Sequence, residues 1–217
     1  MLSEEPHPQD YNPKFLVLSM AKVHPQTPKF LSYMTSRRET FTIWMKSLVF
    51  HGSGCTVFDS NGEIVYRIDN YGRKCVNEVC LMDLRGKVLY SIQRKKLQVF
   101  GCWDGYKWIG SKANKERPWF QVRRNRRIFR GDTTCCVTLG STDEAKSSSF
   151  TIVALPGRSA FKITDYDGRL VAEVKQKQSS SGVMFGEDVL TLVVEPQIDH
   201  SLIMALVTVY GLINHKL

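Results

Sequence analysis

The sequence predicts an all-β protein with one helix: a closed antiparallel barrel of about 12 strands around a central, hydrophobic C-terminal α-helix. Three observations predict it. Short β-rich runs separated by Gly, Asn and Asp follow one another from Phe41 onward. The turn form D-x-x-G-x-φ-φ, with φ an apolar residue, recurs at Asp59, Asp83 and Asp165. The run Ser201 to Ile213, SLIMALVTVYGLI, holds no charge and no proline, and polar residues stand at both of its ends.

Composition fits one large domain preceded by an extension. The chain has 217 residues, 42% of them hydrophobic, ample for a core. Five of the eight prolines precede Lys29. Residues 1–38 therefore read as a proline-rich N-terminal extension, in which Phe15 to Met20 could pair as one strand. Residues 39–217 read as the barrel domain. The amino terminus, MLSEEPHPQD, lacks the basic start and apolar centre of a secretory signal, so an intracellular protein is expected, cytoplasmic or recruited to the plasma membrane or nucleus. The six cysteines form no CxxC pair and read as free thiols.

Alternating or β-branched runs place strands at Thr42 to Val49, Cys55 to Asp59, Ile64 to Asp69, Glu78 to Met82, Val88 to Gln93, Gln98 to Trp103 and Trp119 to Arg123. Further strands are expected at Ile128 to Arg130, Cys135 to Leu139, Phe150 to Leu155, Phe161 to Asp165, Leu170 to Lys175 and Val189 to Glu195. Each D-x-x-G copy follows an apolar run and reads as a tight hairpin. Its Asp accepts turn amides, and its Gly takes the positive φ that side chains resist. A phosphate cradle would need more glycine, and a calcium loop more acid. The serine runs Ser147 to Ser149 and Ser179 to Ser181 read as flexible loops between strands.

Consecutive hairpins without crossover helices favour an antiparallel meander, and closing it removes exposed edges. About eight strands already enclose a side-chain-filled lumen, so a wider barrel needs a filler. The final run supplies it. Pro196 ends the last strand, Asp199 is a good N-cap, and a helix is expected over 198–214. Its β-branched residues lower intrinsic propensity, so packing on all sides must stabilise it. A bilayer span needs roughly 20 apolar residues, which this run does not reach.

Net charge is +9. The excess sits in the first 131 residues and is densest between Lys107 and Arg130, where nine basic residues face Glu116 alone. Lys112, Lys115, Arg117, Arg123, Arg124, Arg126, Arg127 and Arg130 are the candidate binding residues. A hairpin of Trp119 to Arg123 with Arg126 to Arg130 would gather several guanidinium groups at one rim. Arginine offers paired donors to phosphate, and each basic residue near an anionic membrane is worth roughly 1 kcal/mol. Trp103, Trp108 and Trp119 could sit at headgroup level. The bland alternative is a charged edge that prevents strand aggregation. Nucleic-acid binding through the same patch ranks below lipid, because no zinc finger, helix-turn-helix or RNP-like motif accompanies it. No G-x-S-x-G elbow, P-loop or HExxH is present and the five histidines are scattered, so neither catalysis nor a cofactor or metal is expected.

The D-x-x-G hairpins, the basic middle, and the ending V-E-P-Q-I-D-x-x-L-I, Val194 to Ile203, running into an apolar helix, resemble the plant LURP-one-related family. The resemblance covers about Phe41 to Lys216. It implies a tubby-like barrel of about twelve strands around a carboxy-terminal helix, with phospholipid scramblases as distant relatives. It further implies a non-enzymatic protein, a defence context from the founding member, and kinship to membrane-tethered, phosphoinositide-binding regulators. Scramblase-like lipid transport would place the terminal helix in the bilayer, against its length. The expected partners are anionic phospholipid headgroups or a protein, with the chain itself a monomer.

Overall fold

The structure, a computed structural model, describes residues 33–45, 54–69, 78–95, 101–110, 112–113, 115–125, 134–140, 149–155 and 160–214. Its strands are β1 (Glu39–Trp44), β2 (Gly54–Phe58), β3 (Ile64–Asp69), β4 (Glu78–Asp83), β5 (Val88–Arg94), β6 (Cys102–Ile109) and β7 (Lys112–Ala113). They are followed by β8 (Phe120–Asn125), β9 (Thr134–Leu139), β10 (Ser149–Ala154), β11 (Phe161–Asp165), β12 (Leu170–Gln176) and β13 (Val189–Val194). One helix, α1 (His200–Ile213), ends the described chain.

Every strand pairs antiparallel with its neighbours, and the pairing of β5 with β6 together with that of β1 with β13 closes the sheet. The ring has twelve strands, and the two-residue β7 is appended to β6. The closed barrel around a terminal helix is the predicted fold. Closure leaves no open edge in the ring, so no ring strand presents a row of unpaired N–H and C=O groups.

Helix α1 is the centre of the core. Ser201 to Gly211 are all buried, and so is Ile213. Ile203, Met204, Leu206 and Val209 belong to one cluster with inward residues of each ring strand, among them Ile43, Val57, Ile68, Leu81, Ile92, Trp103, Val122, Val137, Ile152, Ile163, Val174 and Leu192. An apolar surface facing side chains on all sides explains how a helix rich in β-branched residues is held. The buried Thr208 hydroxyl donates to the Met204 carbonyl at 2.8 Å. The helix is a little shorter than the 198–214 expected, because its boundary residues serve as caps. Asp199 Oδ1 accepts from the Ser201 and Leu202 amides at 2.9 and 3.2 Å, and the Asn214 side chain donates to the Tyr210 carbonyl at 2.8 Å.

The three D-x-x-G turns form as expected. Asp59 Oδ1 accepts the amides of Asn61 and Glu63, Asp83 Oδ1 those of Arg85 and Lys87, and Asp165 Oδ1 that of Arg169, each within 2.9 Å. Gly62, Gly86 and Gly168 take φ of +82°, +77° and +80°. A register shift beside each turn marks a bulge. A fourth copy departs from the flexible loop expected at Ser179–Ser181. Ser179 Oγ accepts the Val183 amide at 3.0 Å, its carbonyl accepts that of Gly182, and Gly182 has φ +80°. Serine takes the part of aspartate there.

Two strands sit elsewhere than expected. The first begins at Glu39 rather than Thr42. The sixth continues to Ile109, past its expected end at Trp103, because Gly105 is a strand residue covered by the Phe120 ring, while Gln98 to Phe100 of the expected strand lie outside the described residues. Residues 33–38, assigned by sequence to the extension, bind the start of α1: the His200 amide donates to the Tyr33 carbonyl at 2.8 Å and the Gln197 amide to Thr35 at 2.7 Å. Residues 1–32, with the strand considered at Phe15 to Met20, and the strand considered at Ile128 to Arg130 lie outside the described residues.

Candidate functional site

Because ring neighbours are antiparallel, the connections between them alternate between the two ends of the barrel. One end holds the start of α1, where Lys107 near the end of β6 lies 3.9 Å from Asp199. The other holds its finish, where Tyr210 packs on Phe161 at the start of β11 with ring centroids 4.2 Å apart. Strand β8 runs from the first end to the second and has both edges filled, by β6 (Gly105↔Phe120 to Cys102↔Arg123) and by β9 (Phe120↔Leu139 to Asn125↔Thr134).

That placement divides the basic stretch. Lys112 on β7 and Arg117 before β8 are exposed, and Lys115 pairs with Glu78 at 3.4 Å. Arg123 and Arg124 lie at the far end of β8, whose length is about 17 Å at ~3.3 Å per residue. The expected hairpin of Trp119 to Arg123 with Arg126 to Arg130 does not form, since no edge of β8 is open to it; β9 is its hairpin partner. Arg126, Arg127 and Arg130 fall in the 126–133 connection, outside the described residues.

Alternation sends the two described arginines to opposite faces. Phe120 and Val122 are buried inward, so Arg124 shares their side, half-buried near Tyr210 and Cys135. A guanidinium there complements the negative end of the α1 dipole. Arg123 faces outward, exposed, with Cys102 and Cys136 opposite it on the flanking strands and Gln121 accepting from its Nη2 at 3.4 Å. Arg94, exposed at the end of β5, has the inward parity of Tyr90 and Ile92 and pairs in register with Trp103, next to Cys102. Lys95 pairs with the buried Asp104 at 3.2 Å, and Lys177 donates to Thr42 Oγ1 at 2.6 Å. Sequence reading missed Arg94, Lys95 and Lys177 because they are far from the basic run; the alternation of strand direction is the signal that finds them.

Sorting the connections by end separates their charge. At the α1 C-terminal end they are residues 45–53, 70–77, 95–101, 126–133, 155–160 and 177–188, and their sequence holds ten Lys or Arg against three Asp or Glu. At the α1 N-terminal end, residues 59–63, 84–87, 110–119, 140–148, 166–169 and 195–199 hold seven against eight in sequence, Lys115 among them although its ammonium reaches Glu78 at the start of β4. Of the ten at the α1 C-terminal end, Lys95 and Lys177 are among the described residues, and Arg94, Arg123 and Arg124 stand at the strand ends beside them.

The N-terminal end is an aromatic closure. Tyr33 stacks on Tyr66, His200 meets both rings and Phe41, and the Lys107 ammonium lies 4.8 Å from the Trp119 ring centroid. Burial pushes the Tyr66 hydroxyl well above the usual phenol range, with Tyr33 and Asp199 adding to the effect. Asp199, His200 and Ser201 are consecutive, yet they are tied into separate contacts: the Ser201 hydroxyl donates to Asp199 at 2.6 Å, while His200 Nδ1 meets Tyr66. The serine proton is thus directed to the carboxylate and not to an imidazole base. Among the described residues no group of three His, Cys, Asp or Glu is placed to hold a metal ion, and no helix is long and apolar enough to cross a membrane.

Comparison with known proteins matches this architecture. A family model described as LURP-one-related matches residues 39–211. Protein LURP-one-related 4 of Arabidopsis thaliana is 47% identical over 197 residues, covering 90% of this chain and 87% of that protein. Protein LURP-one-related 3 of the same plant is 44% identical over 225 residues, covering 96% and 100%, and protein LURP-one-related 11 is 40% identical over 210 residues, covering 90% of each. An X-ray structure of a protein from Arabidopsis thaliana is similar in fold, with TM-score 0.59 at 14% identity, over 84% of this chain and 94% of that one. The barrel closed on its own helix, the turns that build it and these matches agree: the chain belongs to the LURP-one-related family.

Proposed function

We propose that this protein is a non-enzymatic binding protein that docks onto anionic phospholipid surfaces through the end of the barrel where α1 finishes. The observation that carries this reading is the placement of Arg94, Arg123 and Arg124 at strand ends on the end of the barrel where α1 finishes, with ten basic against three acidic residues in the sequence of the segments that join strands there. A planar anionic surface rewards cations gathered on one end of a rigid body, each contributing about 1 kcal/mol near the headgroups. Arg94, Arg123 and Arg124 stand on the rim, and Arg126, Arg127 and Arg130 follow them in sequence. Lys112, Lys115 and Arg117 lead into the opposite end of β8 and have a secondary part in this reading. A nucleic acid is the competing polyanion, and the same experiment separates the two.

The test is sedimentation with phosphatidylcholine vesicles carrying graded phosphatidylserine or phosphoinositide, at low and high salt. Wild type is compared with a variant in which Arg123, Arg124, Arg126 and Arg127 are Ala. Binding that rises with anionic lipid, falls with salt and is lost in the variant supports the reading. Absence of binding at every composition refutes it, and salt-dependent binding to DNA alone replaces it with the nucleic-acid reading.

A further inference from the structure

The β12–β13 connection carries Val183, Met184 and Phe185 in succession, with 65%, 47% and 44% of their surface exposed. Three consecutive large apolar residues in water are uncommon on a soluble surface, and exposed patches of this kind mark interaction sites. Their exposure comes from a built tip. The Val183 amide donates to Ser179 Oγ at 3.0 Å, its carbonyl accepts from the Ser179 amide at 2.8 Å, and Gln178 bridges to Met184. The Phe185 amide donates to the Lys177 carbonyl at 2.9 Å, and its own carbonyl accepts from Gln176 Nε2 at 2.6 Å. The backbone is therefore fixed by Gln176, Lys177, Gln178 and Ser179, and the three side chains are left outside it.

We propose that this tip is a membrane wedge, whose Val183, Met184 and Phe185 side chains enter the interfacial region of an anionic bilayer when the basic end docks. The inference rests on the lipid-docking reading above and adds an apolar anchor to it. Two observations favour a bilayer as the occupant. The tip leaves the barrel at the end where Arg94, Arg123 and Arg124 stand, so guanidinium groups that attract phospholipid and apolar groups that enter it share one end. Trp44, on the outer face of β1 and 37% exposed, lies opposite Val189 at the base of the same hairpin, where an indole suits headgroup level. Electrostatic attraction alone is reversed by salt, and a buried apolar wedge adds a component that salt does not remove.

Two variants test it on the full chain. In the first, Val183, Met184 and Phe185 all become Ser; in the second, Phe185→Trp places a fluorophore at the tip. The probes are phosphatidylcholine vesicles with and without phosphatidylserine, and a matching set with brominated acyl chains. We expect the triple variant to partition onto phosphatidylserine vesicles at least roughly tenfold more weakly at high salt, and to keep more of its binding at low salt. The Phe185→Trp protein is expected to gain emission that blue-shifts on binding and that brominated chains quench beyond the wild-type level. Vesicle binding with no added quenching at position 185 overturns the wedge and leaves the electrostatic reading standing. Failure of wild type to bind any vesicle overturns both. Concentration-dependent self-association that the serine variant abolishes, again without quenching, reassigns the tip to a protein contact and overturns the proposal.

Discussion

The hydroxyl of Tyr66, buried on β3, meets Nδ1 of His200, the first residue of α1. This contact joins the wall of the barrel to its plug at one end, where Tyr33 and Phe41 also pack against the imidazole. It fixes the depth to which the helix is inserted, since sliding by one residue would take His200 away from the ring.

Tyr66→Phe removes that hydroxyl while keeping the stacked ring. A net hydrogen-bond contribution of about 1 kcal/mol is expected to be lost. Urea denaturation should show a lower midpoint at unchanged slope. A midpoint equal to wild type would mean that the contact does not anchor the helix.

Gly105→Ala tests why a glycine stands inside β6. A Cβ built there collides with the ring of Phe120, its cross-strand partner, so the ring must move into a filled core. The expected cost is about 1–3 kcal/mol. The same substitution in a Phe120→Leu background should cost less, because the obstructing ring is gone, and a double-mutant cycle in urea reads the difference as coupling. Additive costs would place the strain elsewhere.

How much of this could be read from sequence depends on how local the signal is. Asp59, Asp83 and Asp165 announce their turns because the carboxylate and the glycine that make each turn are three residues apart. Ser179 makes the same turn with a hydroxyl, and the D-x-x-G form passes over it. Gly105 hides a strand because its reason, the ring of Phe120, comes from another strand. The basic run is divided for a geometric cause: Lys112 and Arg124 are near in sequence but lie toward opposite ends of a strand that crosses the barrel. Arg94 and Arg123 are distant in sequence, and only the pairing of β5, β6 and β8 brings their strand ends together.

Cys135 and Cys136 are adjacent but should react differently. Cys135 faces inward and is buried, and that burial pushes its thiol up to about 11 against the opposing effect of Arg124. Cys136 faces outward and is exposed. Since the thiolate is the nucleophile, brief iodoacetamide treatment of the native protein at pH 8 should alkylate Cys136 and spare Cys135, and denaturant should expose both. Peptide mass spectrometry reads the two sites. Equal native labelling would contradict the assignment of β9 faces.

Leu206 lies at the middle of α1 with no exposed surface. Leu206→Ala leaves a cavity costing about 2–5 kcal/mol, which a chain of this size should survive with a lowered melting temperature. Leu206→Asp instead places a carboxylate among aliphatic side chains from the surrounding strands. Burying an unpaired charge costs several kcal/mol beyond the lost packing, comparable to the whole stability of a typical domain. The helix has no polar face to which it could rotate that charge, because Ser201 to Gly211 are buried all round. The aspartate variant is therefore expected to give no cooperative thermal transition and to accumulate in the insoluble fraction, while the alanine variant folds. A cooperative, near-normal transition for Leu206→Asp would place the helix outside the barrel and overturn the architecture on which the two barrel ends are defined.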